Sequence, residues 1–493
     1  MAKILTIFIL FLFSSLNLRA QKNNYSIFLG SSAGYTSPGK MPFWLRSNKF
    51  GNIPLDNSSL SLTGSIRKDY ETSGKKLFDW GVSFEGCTNI GQESNFNIIE
   101  GNGKIRIGVF EIMAGRSKEI MGLCDTSLTS GSWAVSGNAP GIPKLQFGIP
   151  QFYSLPVFGR MFALKGNYVH GYIGMTTRKK NGILLNRETE TYLHQKSLYG
   201  RFGKTEWKWK FYGGFNHQVF WGSEKQYFGE IYTLSPSKTY LYVITGKGYG
   251  STSTPFSRIG NHLGSIDLGF EIELQNTRLL AYRQNIYDAG ALAHLANIRD
   301  GLNGLSLINT VHSNKGFRWK KMLIEVLFTK NQAGEFWSPL TASGDEEYYN
   351  NSVYVQGWSY KNLVIGNPFI STREYTRRGL PADPNDYFIN NRVVAFHFGC
   401  EGSVKKWDFI LKASHSLNYG TFGTSEVGHT MGTARTPPGY GIFREKQQFS
   451  GYVELNRKLN QSLNFGFTGA FDAGELYYDS FGILFRISKT FNL

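Results

Sequence analysis

Several stretches of this chain place apolar residues at every second position, the period at which a strand presents one face. In Trp207 to Phe215 the outward set is Trp207, Trp209, Phe211, Gly213 and Phe215, against Lys208, Lys210, Tyr212 and Gly214. Met322, Ile324, Val326 and Phe328 alternate with Lys321, Leu323, Glu325 and Leu327. Leu463, Phe465, Phe467, Gly469 and Phe471 repeat the pattern, as do Ile483, Phe485, Ile487, Phe491 and Leu493 at the end of the chain, with Lys489 near enough to the terminus to snorkel. A strand that crosses lipid needs such alternation over roughly nine to eleven residues. The fold class these segments predict is all-β, a transmembrane outer-membrane β-barrel of antiparallel strands.

The connections support that reading, because one rim of such a barrel has tight periplasmic turns and the other long extracellular loops. Short polar turns are read around Lys68 to Gly74, Gly203 to Glu206, Leu274 to Thr277, Ser313 to Gly316, Trp358 to Lys361, Gly402 to Lys406 and Asn456 to Gln461. Long stretches lie between them, at Asn216 to Asn261, Ile286 to Gly304, Asn331 to Asn350, Ser371 to Asn390 and Tyr419 to Lys446. Counting from Tyr25 gives about eighteen strands, both ends periplasmic. The same parity puts one Gly-, Ser- and Pro-rich connection, Arg116 to Arg160, on the short-turn side, where it is expected to fold at the periplasmic mouth or into the lumen as a plug.

Lys3, a largely apolar run from Ile4 to Phe13 and a small residue, Ala20, before Gln21 read as a secretory signal peptide over residues 1–20, leaving 21–493 as the barrel. No cysteine follows the run, so no lipid-anchored N-terminus is expected. Cys87, Cys124 and Cys400 are few, odd in number and far apart, so no disulfide framework is expected either. Aromatic residues make up 15% of the chain and charged residues only 18%, with 57 glycines, which suits aromatic girdles and half-apolar strands better than a long water-soluble protein. The formal charge of +17 suits contact with lipopolysaccharide phosphates or an acidic glycan, and an exported chain is not expected to meet nucleic acid.

Enzymatic signatures fail. There is no His-Glu-x-x-His, no Cys-x-x-Cys and no clustered histidine set, so no metal and no cofactor is expected. Gly246-Lys-Gly248-Tyr-Gly250 lacks the Lys-Ser/Thr of a phosphate loop, and alternation separates His415 from Ser414 and Ser416, leaving only a cross-strand pair open. Sugar binding needs flat aromatic faces beside amide, carboxylate or guanidinium groups. Asn216, His217, Gln218 and Trp221 offer that mixture, and Tyr282 with Arg283 offers a second. Tryptophan and tyrosine at barrel ends also serve as interfacial girdle. Arg116, Asp125 and Trp133 are the polar and aromatic residues expected to pin the plug segment.

The stretch from Gly115 to Pro150, with Asp125-Thr-Ser-Leu-Thr-Ser-Gly-Ser, Ser136-Gly-Asn138 and Ile142-Pro143-Lys144, resembles the Wzi-type capsule assembly proteins of the Bacteroidetes kind. So do Pro42-Phe43-Trp44-Leu45, Asn216-His217-Gln218 with Trp221-Gly222, and Arg299-Asp300-Gly301-Leu302. The resemblance implies an eighteen-stranded, partly occluded barrel that is lectin-like and helps attach capsular polysaccharide to the cell surface. The expectation is therefore a non-catalytic, monomeric outer-membrane protein whose partners are capsular polysaccharide, lipopolysaccharide and membrane lipid. The alternative is a porin or substrate-specific channel, and a more distant rival is an outer-membrane hydrolase.

Overall fold

The computed structural model describes residues 24–492 except 38–40, 53–57, 72–75, 92–93, 181–182, 186–187, 252–253, 289–294, 312–315, 336–343 and 432–433; the expected signal peptide, 1–20, lies outside them. Eighteen strands form one antiparallel sheet. In chain order they are β1 Tyr25–Thr36, β2 Ser58–Lys68, β3 Phe78–Ile90, β4 Asn95–Ile107, β5 Phe110–Arg116 and β6 Lys144–Ser154. Next come β7 Phe162–Thr176, β8 Thr189–Phe202, β9 Trp209–Trp221, β10 Asn261–Glu273, β11 Thr277–Asp288 and β12 Gly301–Asn309. The last are β13 Phe317–Phe328, β14 Val393–Val404, β15 Trp407–Asn418, β16 Lys446–Lys458, β17 Leu463–Gly474 and β18 Ser480–Asn492. Each pairs with its sequence neighbour, and β1 pairs with β18 from Ser26↔Asn492 to Thr36↔Gly482, so the sheet closes and leaves no edge.

The wall follows from the period-two pattern. Phe211, Ile324, Phe471 and Phe485 point outward and are exposed to the lipid side, while Leu323 and Glu325, one residue away from Ile324, are buried inward. The links at one rim are 69–77, 108–109, 155–161, 203–208, 274–276, 310–316, 405–406 and 459–462. The other rim carries 37–57, 91–94, 117–143, 177–188, 222–260, 289–300, 329–392, 419–445 and 475–479. This asymmetry of link size orients the barrel in the outer membrane, with the short-link rim periplasmic.

Two of the long links turn inward. Residues 117–143 and much of 345–391 form an aromatic core with the inner wall, in which Trp133, Tyr348, Tyr349, Trp358 and Phe388 are fully buried. A third insertion, the short helix Phe43–Arg46, packs Phe43, Trp44 and Leu45 against inward residues of β14, β16 and β17. The link 222–260 behaves differently. Its helix Pro236–Thr245 lies on the outside of the wall, with Val243, Tyr232 and Ile259 enclosing the outward-facing Val219 of β9.

Several expectations are corrected here. The interval 116–160 is not one connection, because it contains β6; Pro143 precedes that strand and its register shifts between Ile149 and Tyr153, so proline breaks the alternation that would have revealed it. The connection that remains, 117–143, leaves from the long-link rim. Trp358 to Lys361 is not a periplasmic turn, and the stretches Asn331 to Asn350 and Ser371 to Asn390 belong to a single link, 329–392. Trp358 is buried on every side, so the local pattern there is that of an interior core and not of a wall strand.

Candidate functional site

The lumen is where polar chemistry collects. Inward side chains of the wall hold residues 117–143 by a set of directed bonds. Glu325 of β13 accepts from Thr129 Oγ1 at 2.8 Å and from the Ser130 backbone N–H at 2.6 Å. Asp267 of β10 accepts from the Leu123 N–H at 2.7 Å, and Gln284 of β11 accepts from the Trp133 N–H at 3.0 Å. In return Asp125 accepts from Ser306 Oγ at 2.7 Å and pairs with Lys321 Nζ at 3.1 Å. Its carboxylate also receives the Ser127 and Leu128 N–H groups, so one buried acid both closes a local turn and fixes it to the wall. The second insertion docks on the first through Ser136 N–H to Ile365 O at 2.9 Å and Trp358 Nε1–H to Ala134 O at 2.8 Å.

The sequence-derived site residues are distributed over this frame. Arg116 ends β5 and donates to Ile98 O at 3.0 Å, Asp125 sits between Lys321 and Ser306, and Trp133 is buried against Tyr348 and Tyr349. Asn216 faces the lumen and donates to Ser265 Oγ at 2.7 Å and Tyr199 Oη at 3.1 Å, and Gln218 points at the Met121 sulfur. His217 faces outward, with Nε2 2.9 Å from His262 Nδ1. Trp221 also lies on the outer side, among His170, Tyr192 and Tyr240 beneath the external helix. Tyr282 is inward and donates to Glu325, whereas Arg283 is outward and donates to Asn285 Oδ1 at 2.6 Å, Asn303 Oδ1 at 2.7 Å and Ile298 O at 2.6 Å. Consecutive strand residues face opposite sides, so the wall splits both sequence clusters and neither forms a single platform.

A cross-strand Ser–His pair does exist: Ser414 Oγ lies 2.8 Å from His397 Nδ1. His397 Nε2 is 2.7 Å from the Leu128 carbonyl, and Ser414 Oγ accepts from Trp44 Nε1 at 3.1 Å. The imidazole is oriented by a backbone carbonyl and the hydroxyl is sealed under Trp44. This geometry ties residues 117–143 and the Phe43–Arg46 helix to β14 and β15.

Sequence reasoning missed the open part of the lumen. Trp44, Lys49, Lys412, Tyr452 and Glu454 line a cleft of about 130 Å³. Lys49 Nζ donates to Tyr452 Oη at 3.1 Å, Tyr452 donates to Glu454, and Glu454 pairs with Arg486 at 3.0 Å. Lys412 holds its ammonium 4.6 Å from the Trp44 ring centre. Arg486 also donates to Asn456 Oδ1 at 2.9 Å and borders a second space of about 290 Å³ at the periplasmic mouth, lined by Phe28, Asn456, Lys458, Asn464 and Ser488. The one available sequence signal was lumen-facing charge on strands with apolar outer faces, as at Lys412 beside the outward Leu411.

Closed antiparallel wall, lipid-facing aromatic surface and polar interior together define an outer-membrane β-barrel. No protein-family profile and no curated protein matches the chain. Solved structures with a similar trace include Acinetobacter baumannii OccAB2, at 10% identity, TM-score 0.45, and coverage of 95% of this chain and 98% of that one. Pseudomonas aeruginosa OprD matches at 9% identity, TM-score 0.45, and 95% of each chain, and P. aeruginosa OpdK, crystallised with vanillate, at 9%, 0.43, and 95% and 98%. The Wzi-type resemblance is corrected here, since neither a family profile nor a curated relative supports it. The capsule-anchoring, lectin-like expectation rested on that resemblance and falls with it.

Proposed function

We propose that this barrel is a constricted, solute-selective outer-membrane channel that carries out no chemical reaction. The observation that supports the reading is the lumen itself. Its inserted segments narrow the bore but leave the cleft and the mouth space as neighbours, divided by the Arg486–Glu454 pair and its bond to Asn456. The partition is made of side chains, and Arg486, 45% exposed against 12% for Glu454, is the member that can swing into solvent. The segment 117–143 acts as the plug that sets the bore. Swelling of liposomes containing the purified barrel tests the reading: small polar solutes are expected to enter and oligosaccharides to be excluded. Exclusion of every solute down to the smallest would contradict it.

A further inference from the structure

We propose that the outer face of the wall between β4 and β7 is a binding site for the phosphorylated headgroup of an outer-leaflet glycolipid. The site is on the lipid side of the barrel and stands whether or not the lumen conducts.

No strand of the ring is an edge strand, yet the ring is not of even height. β4 pairs with β3 as far up as Asn95, but with β5 only from Ile107 to Gly101. β7 pairs with β8 as far up as Thr176, but with β6 only as far as Gly171. β5 and β6 are joined to each other from Glu111↔Gly148 to Gly115↔Lys144. Above Arg116 and Lys144 the chain turns inward as 117–143, so two strands are missing from the wall and β4 stands about 14 Å from β7, three strand spacings. Asn95–Glu100 and Tyr172–Thr176 flank this notch with a strand on one side only. Among the described residues two bonds reach these edges from its base, Arg116 to Ile98 O at 3.0 Å and Tyr172 N–H to Pro143 O at 2.9 Å. The back of the notch is closed by 117–143, whose ends cross so tightly that a Cβ on Gly141 would lie 2.3 Å from Ser117 O. It opens at the long-link rim, hence in the outer leaflet. Unpaired backbone beside hydrocarbon is costly, so such a notch persists where something polar fills it.

The charges at the notch do not balance. Lys118 pairs with Glu85 at 2.6 Å, and Lys144 pairs with Glu119. Arg116 and Lys361 form no ion pair among the described residues. Arg116 also donates to Tyr360 Oη at 3.4 Å, which places its guanidinium beside the turn that carries Lys361. Partial burial, and then the Arg116 charge, push the Lys361 ammonium below its ordinary pKa, as expected for neighbouring cations with no acid between them. On the lipid side Phe96, 60% exposed, with Ile98, Tyr172 and Met175, gives the notch apolar flanks. An occupant must bring negative charge for the cations, hydroxyl and amide groups for the open strand edges, and hydrocarbon for the flanks. A phosphorylated, acylated sugar lipid brings all three, and its phosphate suits the planar guanidinium fork.

Hydrogen exchange of the detergent-purified, delipidated barrel tests the assignment, with bisphosphorylated lipid A, its dephosphorylated form and phosphatidylglycerol as probes. Lipid A is expected to bind saturably and to slow exchange at 95–100 and 172–176 about tenfold or more, with β13 to β16 on the opposite wall unchanged. Dephosphorylated lipid A and phosphatidylglycerol are expected to bind about tenfold more weakly or worse. Lys361→Gln is expected to weaken lipid A about threefold, and Arg116→Gln combined with it about tenfold or more. Heat-modifiable mobility reports folding of each variant; Lys361→Gln breaks no bond of the fold and decides alone if the double variant does not fold. Absence of saturable lipid A binding, equal protection by the dephosphorylated form, phosphatidylglycerol binding as tightly as lipid A, or unchanged affinity in Lys361→Gln would each overturn the site.

Discussion

Lys321 of the barrel wall and Asp125 of the inserted segment form an ion pair at 3.1 Å, with the Asp125 carboxylate 3% exposed and the Lys321 side chain 21% exposed. The pair joins a strand that crosses the membrane to a segment that occupies its bore. Glu325, four residues along the same strand and on the same face, makes the next attachment.

Glu325→Ala is expected to loosen the plug. It leaves the Ser130 N–H and the Thr129 and Tyr282 hydroxyls without their acceptor, and each stranded buried donor costs about 1–3 kcal/mol. Liposome swelling should then admit larger solutes than the wild type, while heat-modifiable mobility on gels shows that the wall still forms. An unchanged exclusion limit would mean that these bonds do not hold the segment in place.

Gly131→Ala tests the contact between the two insertions. The glycine has φ +130°, and a Cβ there would lie 2.6 Å from Pro368 Cδ, part of a ring that cannot swing aside. Thermal unfolding followed by tryptophan fluorescence should show a loss of about 1–3 kcal/mol. Stability equal to wild type would place Pro368 elsewhere in the working protein.

Phe485→Arg addresses the outer face. Phe485 is 47% exposed on the lipid side and is paired with Phe467 and Ala33. A charge at mid-bilayer depth costs about 2–4 kcal/mol, so outer-membrane yield should fall and the unfolded form should accumulate. Normal insertion would reverse the assignment of faces along β18.

A pH effect is expected at the extracellular rim. Burial pushes the Asp300 carboxyl up to about 6, opposed by bonds from the Tyr348 hydroxyl and the Asn331 and Gln332 N–H groups and by the Arg392 charge. The folded state therefore favours the protonated acid. That contribution is complete below about pH 4 and is lost as the pH rises through about 6, on the order of 3 kcal/mol in all. Hydrogen exchange in residues 329–335 and 344–350, corrected for intrinsic rates, should show more protection at pH 4.5 than at pH 7.5, and Asp300→Asn should flatten the difference. Protection that rises with pH would contradict the assignment.

The wall was legible because each of its strands meets two different surroundings, lipid and lumen, and so writes a period of two into the sequence. Phe211, Ile324, Phe471 and Phe485 lie on the face that alternation assigned to them. Within 345–391, Tyr348, Trp358 and Phe388 meet protein on every side and carry no period, so Trp358 to Lys361 looks in the sequence like a turn of the wall. The sugar clusters do not assemble into one platform, for a geometric reason: closeness in sequence along a strand puts His217 and Trp221 outside the barrel and Asn216 and Gln218 inside it. The cleft was illegible because Trp44, Lys412 and Glu454 come from distant parts of the chain and meet only when the ring closes.

Single-channel recording in planar lipid bilayers tests the central claim most directly. The account predicts discrete, small conductance steps that grow larger in Glu325→Ala. A folded, inserted barrel that shows no conductance steps in either the wild type or Glu325→Ala would contradict it.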